Sequence, residues 1–201
     1  MDVLKARLAA NLAAFHRIAL DGEGKRRAAV AIIVAPSPEG PGFLLTRRAL
    51  TMRRNAGNYA LPGGNIELGE DAVGAALRET VEELGVTLPR EAMLGMLDDF
   101  QTLGGHVVTP IVFFSAQELT LRPNPEEVHA AWLTPLTDLD HPEAPRRVPH
   151  PDGGEPILQM NIRGNWINAP TAAWIYQFRE VAIYGRATRI AAVGQPSWTA
   201  R

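Results

Sequence analysis

The stretch from Gly63 to Val86 reads GGNIELGEDAVGAALRETVEELGV, and its second half has the spacing of a helix. Val73, Leu77, Val81 and Leu84 recur at helical intervals through Asp71–Leu84, with Ala72, Ala75 and Ala76 as strong helix formers. Glu70 and Asp71 favour the positive N-terminal end of that helix, and Gly85 suits the left-handed position after its last turn. Residues three and four apart share a helix face, which places Glu79, Glu82 and Glu83 together. Arg78 is the only cation between Asp71 and Leu84. Like charges at this spacing cost a helix roughly 0.2–0.5 kcal/mol per pair, so a sequence that keeps them gains something by concentrating negative charge. The fitting partner is a hard divalent cation, because carboxylate oxygens suit magnesium or manganese, and magnesium also takes waters and substrate phosphate oxygens. The plainer alternative is a solvated acidic helix face.

Working outward, Arg27–Pro36 (RAAVAIIVAP) and Gly42–Thr46 (GFLLT) are short apolar runs separated by a Pro- and Gly-rich turn, which predicts a β-hairpin. A loop from Arg47 to Gly64 closes on LPGG. Beyond the helix, Met93–Leu103 and Val107–Ala116 read as strands parted by Gly104-Gly105, and Pro110 implies an edge or a bulge in the second. Glu126–Leu133 follows a Pro-rich turn. Asp138–Pro156, crowded with Pro, Gly, His and Asp, reads as a long surface loop, and Asp138–Gly164 as the segment that shapes substrate choice. Ile157–Ile167 predicts a small hairpin turning near Arg163-Gly164-Asn165. Ala172–Tyr184 predicts a second helix with Trp174, Ile175, Phe178, Val181 and Ala182 facing the core. This order of elements indicates an α+β or layered α/β/α domain. One domain over 1–201 is expected, with an N-terminal helix (1–22), a core (27–136) and a tail of loop, hairpin and helix (137–201).

Composition bounds the rest. Of 201 residues 46% are hydrophobic, enough to bury a core, and the formal net charge of −2 gives no reason to expect nucleic acid or a membrane surface as partner. With no cysteine, thiolate metal sites and a cysteine nucleophile are excluded, and a cytoplasmic location fits. The first twenty residues are interrupted by Lys5, Arg7, Asn11, His16 and Arg17, so they read as an amphipathic helix rather than a leader. Val3, Leu4, Leu8, Leu12, Phe15 and Leu20 would pack it on the domain, a homodimer arm being the alternative. None of the histidines has metal-site spacing, and His106 reads as a loop residue.

Gly64, Glu70, Arg78-Glu79, Glu82-Glu83, Gly85 and Val86 match the signature G-x5-E-x7-R-E-U-x-E-E-x-G-U, where U is a bulky apolar residue. Thr80 stands at the first U position, its methyl group expected to pack there. The chain thus resembles the Nudix hydrolases, and the flanking strands extend the likeness over most of 27–136. The resemblance implies an α/β/α sandwich around a central mixed sheet, with N- and C-terminal helices added. It implies hydrolysis of a phosphoanhydride bond in a small-molecule nucleotide, with Mg2+ or Mn2+ held by Glu79, Glu82 and Glu83 and the Gly64 carbonyl. In that family Arg78 would orient the carboxylates, while Gly63, Glu70 and Gly85 would shape the loop and helix end. The general base varies within the family. Glu82 or Glu83 would serve, or Glu126 or Glu127 in PNPEEVHAAWL, where relatives often place an E-V before a strand; an exposed turn acid is the plain alternative there.

LLTRRALTMRRNAGNYALPGG, residues 44–64, resembles the stretch before the motif in coenzyme A pyrophosphatases. Leu44, Leu45, Thr46, Arg48, Met52, Arg53, Gly57, Pro62, Gly63 and Gly64 match, whereas Asn55 replaces a usual His and Leu61 a usual Phe. The tail INAPTAAWIYQFREVAIYGR is similar to that of a bacterial subgroup near those enzymes. By position, Arg48, Arg53 and Tyr59 are candidate substrate contacts. Coenzyme A or a similar dinucleotide is therefore the leading substrate expectation. Nucleoside triphosphates (oxidised ones included), NADH, ADP-ribose or nucleotide sugars are alternatives within the same chemistry. A non-catalytic nucleotide-binding module is the alternative of another kind.

Overall fold

The computed structural model describes residues 1–52 and 55–200. Its elements are α1 (Asp2–Ala14), β1 (Arg26–Ser37), β2 (Gly40–Arg48), β3 (Tyr59–Ala60), β4 (Gly63–Asn65), α2 (Ala72–Leu84), β5 (Met93–Met96), β6 (Phe100–Gln101), β7 (His106–Phe114), β8 (Val128–Pro135), β9 (Arg146–Val148), β10 (Ile157–Ile162), β11 (Asn165–Asn168) and α3 (Thr171–Phe178). Side chains alternate across a strand, and β1 uses that alternation to feed two cores. Ala28, Val30, Ile32 and Val34 face α1, α3 and the β10–β11 hairpin, while Ala29, Ala31 and Ile33 face α2. The result is an α+β fold of layered α/β/α type around a mixed sheet, as expected from the order of elements.

The sheet runs β3-β2-β1-β7-β5, with β1 and β7 parallel and the other neighbours in this order antiparallel. Strands β1 and β2 pair only from Val34↔Phe43 to Ser37↔Gly40; β2 pairs with β8 along its other edge from Gly42 to Arg48, and past Phe43 it takes β3 at Thr46–Arg47 while β1 takes β4 at Ala28–Val30. The expected Arg27–Pro36 and Gly42–Thr46 hairpin is thus present, and the splay of its strands makes room for a site.

Several expectations are corrected. Helix α1 stops at Ala14, short of residue 22, because the following segment docks as extended chain: Ile18 N–H donates to Asp98 at 2.7 Å and Leu20 N–H to Asp99 at 3.0 Å. Leu8 and Leu12 are buried and Asn11 Nδ2 donates to the Ala182 carbonyl at 2.9 Å, so α1 packs on its own chain; Val3 is exposed. The same two aspartates, buried and met by Arg17, Arg27 and Arg189, split the strand expected over Met93–Leu103 into β5 and β6. Pro110 lies in the interior strand β7, not at an edge. Its carbonyl accepts from Leu97 N–H at 3.0 Å. A residue's N–H and C=O point to the same side in a strand, so the donor that proline lacks falls at the gap between β5 and β6. Asp138–Pro156 is not all loop; it carries the end of a helical turn over Leu136–Asp140 and the strand β9, which pairs with β10. Helix α3 ends at Phe178 and continues as a wider turn over Arg179–Ile183, with Trp174, Ile175, Phe178, Val181 and Ala182 buried as expected. In α2, Val81 points to solvent, and Thr80 is fully buried in the stripe that Val73, Ala76 and Leu84 complete, its hydroxyl donating to the Ala76 carbonyl at 2.7 Å.

Candidate active site

Helix α2 is held at both ends. Asp71 caps it, accepting from Gly74 N–H at 2.7 Å and pairing with Arg90, which holds its carboxyl down at about 2. At the other end Gly85 adopts the left-handed conformation (φ 65°) that glycine permits. Carbonyls at a helix end have no partner within the helix. Here Glu83 O accepts from Asn124 N–H at 2.8 Å and Leu84 O from Arg122 N–H at 2.7 Å. Those two bonds draw the loop before β8 onto the helix end and so set Glu127 opposite Glu83. Ala49 N–H donates to the Glu127 carbonyl at 2.8 Å, tying the loop to the end of β2 as well.

One carboxylate oxygen each from Glu79, Glu83 and Glu127 lies within 4.8 Å of the others. Glu83 is only 5% exposed, and burial pushes its carboxyl up to about 8, with Glu79 and Glu127 raising it further and Arg48 opposing. Glu79 is raised too, first by burial, with Arg78 pulling it back. The glycines make this proximity feasible. A Cβ on Gly64 would stand 2.1 Å from Glu79 Oε1, and one on Gly63 would stand 2.2 Å from the Ala29 carbonyl oxygen. Two carboxylates crowded against a buried third form a hard, all-oxygen donor set of the kind that magnesium or manganese relieves electrostatically, so the residues fit such an ion.

Arg78 is the hub beside them. Its Nη1 donates to Glu79 at 2.9 Å and Glu82 at 3.1 Å, its Nε and Nη2 to Glu70 at 3.2 and 3.1 Å, and Nη2 also to the Asn65 carbonyl at 2.9 Å. Glu70 in turn accepts from Glu67 N–H at 3.2 Å, and Arg78 lowers its pKa. Glu82, half-exposed on the outer side of Arg78, is not among the three converging acids. Glu126 is exposed and points its backbone N–H at Asn124.

Alongside lies a cavity of about 490 Å³ where β1 and β2 part, sharing Arg48, Gly63 and Gly64 with the acidic edge. Arg48 and Tyr59, both singled out by position, line it; Tyr59 stacks edge-on against Trp132 at 5.9 Å. Arg53 lies outside the described residues. His106 begins β7 and lines the cavity, so it is not a loop residue. No described residue of Asp138–Gly164 lines it; the opposite wall comes instead from β11, the start of α3 and the turn Ser197–Ala200, including Trp166, Trp174 and Trp198. Sequence reading missed these three of the four tryptophans as site residues. Trp174 sits on an apolar helical stripe indistinguishable from core, and nothing local marks Trp166 or Trp198.

The NUDIX domain family pattern matches residues 25–151, more than half of the chain. The chain belongs to the Nudix family. It is 36% identical over 117 residues to the Escherichia coli K12 protein named "Uncharacterized Nudix hydrolase NudL", the match spanning 58% of this chain and 60% of that relative. A Shigella boydii protein of the same name is 35% identical over the same share. Among solved structures, a MutT/nudix family protein from Enterococcus faecalis superposes with a TM-score of 0.50 at 18% identity, covering 72% of this chain and 51% of that one, which bears on the fold. No helix among the described residues is long and apolar enough to cross a membrane.

Proposed function

We propose that this chain is a divalent-metal-dependent pyrophosphohydrolase that cuts a phosphoanhydride bond in a nucleoside diphosphate linked to a second moiety. The observation that carries the reading is the convergence of Glu79, Glu83 and Glu127 beside a cavity of nucleotide-accommodating size. These three acids hold Mg2+ or Mn2+, with the Gly64 carbonyl and, from the motif, Glu82 as further ligands. When bound, the metal supplies neutralisation of the diphosphate and a lowered pKa for water. Arg78 fixes the carboxylate rotamers, because its guanidinium bonds Glu79 and Glu82 on one side and Glu70 on the other. Arg48, between the acids and the cavity, steers the anionic diphosphate toward the edge. A carboxylate of this edge takes the proton from the attacking water.

Coenzyme A or a similar dinucleotide is the preferred substrate class, supported by the resemblance over residues 44–64 and by a cavity of about 490 Å³, more than a diphosphate alone needs. Asn55, which lines the cavity where that branch usually has His, favours a second reading within the same chemistry: a nucleoside triphosphate, NADH, ADP-ribose or a nucleotide sugar. Turnover of a panel (coenzyme A, NADH, ADP-ribose, 8-oxo-dGTP, a nucleotide sugar) with magnesium or manganese, products identified by mass, decides between them. Release of 4′-phosphopantetheine at the highest kcat/KM is expected. Preference for another member rejects the substrate but keeps the chemistry. Metal binding without any turnover replaces the enzyme by a nucleotide-binding module.

A further inference from the structure

The two ends of the cavity differ from the surface around it in charge. None of its described lining residues is Asp or Glu, although the acidic edge lies next to it, and both of its arginines stand apart. Arg48 is at the edge, where it opposes the raised pKa of Glu83. Arg26 is at the far end, at the start of β1 and paired in register with His106 of β7. Gly64 pairs with Ala29, three residues further along β1, so at about 3.3 Å per residue Arg26 begins roughly 10 Å from the glycine that faces Glu79. Among the described residues the Arg26 guanidinium forms no salt bridge, and its contact is one long bond of 3.5 Å to the Gly104 carbonyl.

Aromatic surface fills the interval. Trp174 is buried edge-on to Phe100 at 6.3 Å, and Trp198 keeps 43% of its surface exposed. Trp198 belongs to a pinned turn: Thr199 Oγ1 donates to the Pro196 carbonyl at 2.7 Å, and Gln195 bonds both Gln101 O (3.0 Å) and Leu103 N (3.2 Å). This wall lies beyond the residues that match the family pattern. It is therefore built by the C-terminal segment rather than by the family core.

We propose that Arg26 and the adjoining Trp198 turn form a second anion subsite, so that the preferred ligand carries a further phosphate monoester on its nucleoside side, with its base against Trp198. A monoester brings nearly two negative charges and oxygens that a guanidinium fork can grip in pairs. The inference rests on the diphosphate lying at the acidic edge, as argued above.

The test is binding of two fragments to the full chain with magnesium, adenosine 3′,5′-bisphosphate and adenosine 5′-monophosphate, followed by calorimetry and tryptophan fluorescence. The bisphosphate is expected to bind about tenfold or more tightly. Arg26→Gln brings the ratio of the two affinities close to one, and Arg26→Lys keeps part of it. Equal affinities in the unaltered chain, or a ratio untouched by Arg26→Gln, overturn the subsite. Turnover separates the two claims. Hydrolysis of the panel with a ratio of one rejects the subsite alone. A high ratio that depends on Arg26, without hydrolysis, supports the subsite and rejects the proposed activity.

Discussion

The acidic edge and the tryptophan wall face the same cavity yet are built in opposite ways. The edge is assembled mostly from one local segment, where a strand, a loop and a capped helix bring Gly64, Glu79 and Glu83 together through spacing within twenty residues. The wall is assembled from β11, α3 and a turn near residue 198, which meet only because the β10–β11 hairpin and α3 pack on the far face of β1. The edge is held by hydrogen bonds around one arginine, whereas the wall joins a buried Trp174 to a half-exposed Trp198 whose turn is pinned by Gln195 and Thr199. On the proposed reading the chemistry sits mostly in one local segment, completed by Glu127, and selection of the ligand in distant ones, so changes on the two sides should separate in kinetics.

The largest expected effect is at the edge. Glu83→Gln should lower kcat by about 10²–10⁴-fold, the usual scale for a carboxylate that takes part in proton transfer, with little change in KM. Steady-state kinetics checks this, and a loss under tenfold would remove Glu83 from the reacting centre.

The same residue gives a pH signature in metal-free protein. Between the ordinary value of 4.5 and about 8, the unfolded chain has released the Glu83 proton while the native chain retains it. Stability must then fall as pH rises through that window and level off above it, at about 1.4 kcal/mol per unit of pKa difference as an upper bound. Melting in a chelator from pH 4.5 to 8.5 should show a falling Tm, which Glu83→Gln flattens and added manganese reverses. A Tm that rises across the window would contradict the burial of an unpaired carboxyl.

Arg78→Ala should cost about 10–100-fold in activity or metal affinity, as for other residues that orient ligands. Lysine should not rescue it, because a single ammonium cannot hold Glu70 and Glu79 at once. On the opposite side, Trp198→Ala should raise KM by up to about tenfold, the scale of a stacked aromatic contact, and leave kcat nearly unchanged. If it lowered kcat instead, the division between edge and wall would fail. The smallest effect is structural: Asp71→Ala should cost about 1 kcal/mol of stability through the lost cap, readable by denaturant titration.

Much of the edge is legible in the sequence, because a helix converts spacing into geometry with few alternatives. Arg78, Glu79, Glu83 and the Gly85 turn follow from spacing along one helix, whereas Asp71, expected inside the helix as a charge at its positive end, caps it instead. Glu127 was half legible: the sequence left Glu126 and Glu127 both open, and the bonds from Asn124 and Arg122 to the helix end select between them. Val81 illustrates a different limit. Its place in an apolar series says nothing of which side the sheet occupies, and the sheet took Thr80 instead. The split of β5 from β6 was hidden for a related reason, since Asp98 and Asp99 are buried by partners as distant as Arg17 and Arg189. Trp198 had no readable signal at all, its role depending on contacts some 95 residues away along the chain, such as Gln195 with Gln101 at a separation of 94.

The most direct test of the account is manganese affinity, measured by the electron paramagnetic resonance of free ion, for the unaltered chain, Glu127→Gln and Glu126→Gln. These neighbours are alike in sequence and differ in where the loop aims them. Glu127→Gln is expected to weaken binding by about tenfold or more, as loss of one direct charged contact would, while Glu126→Gln binds like the unaltered chain. Equal affinity in all three, or loss in Glu126→Gln alone, would contradict the three-carboxylate edge.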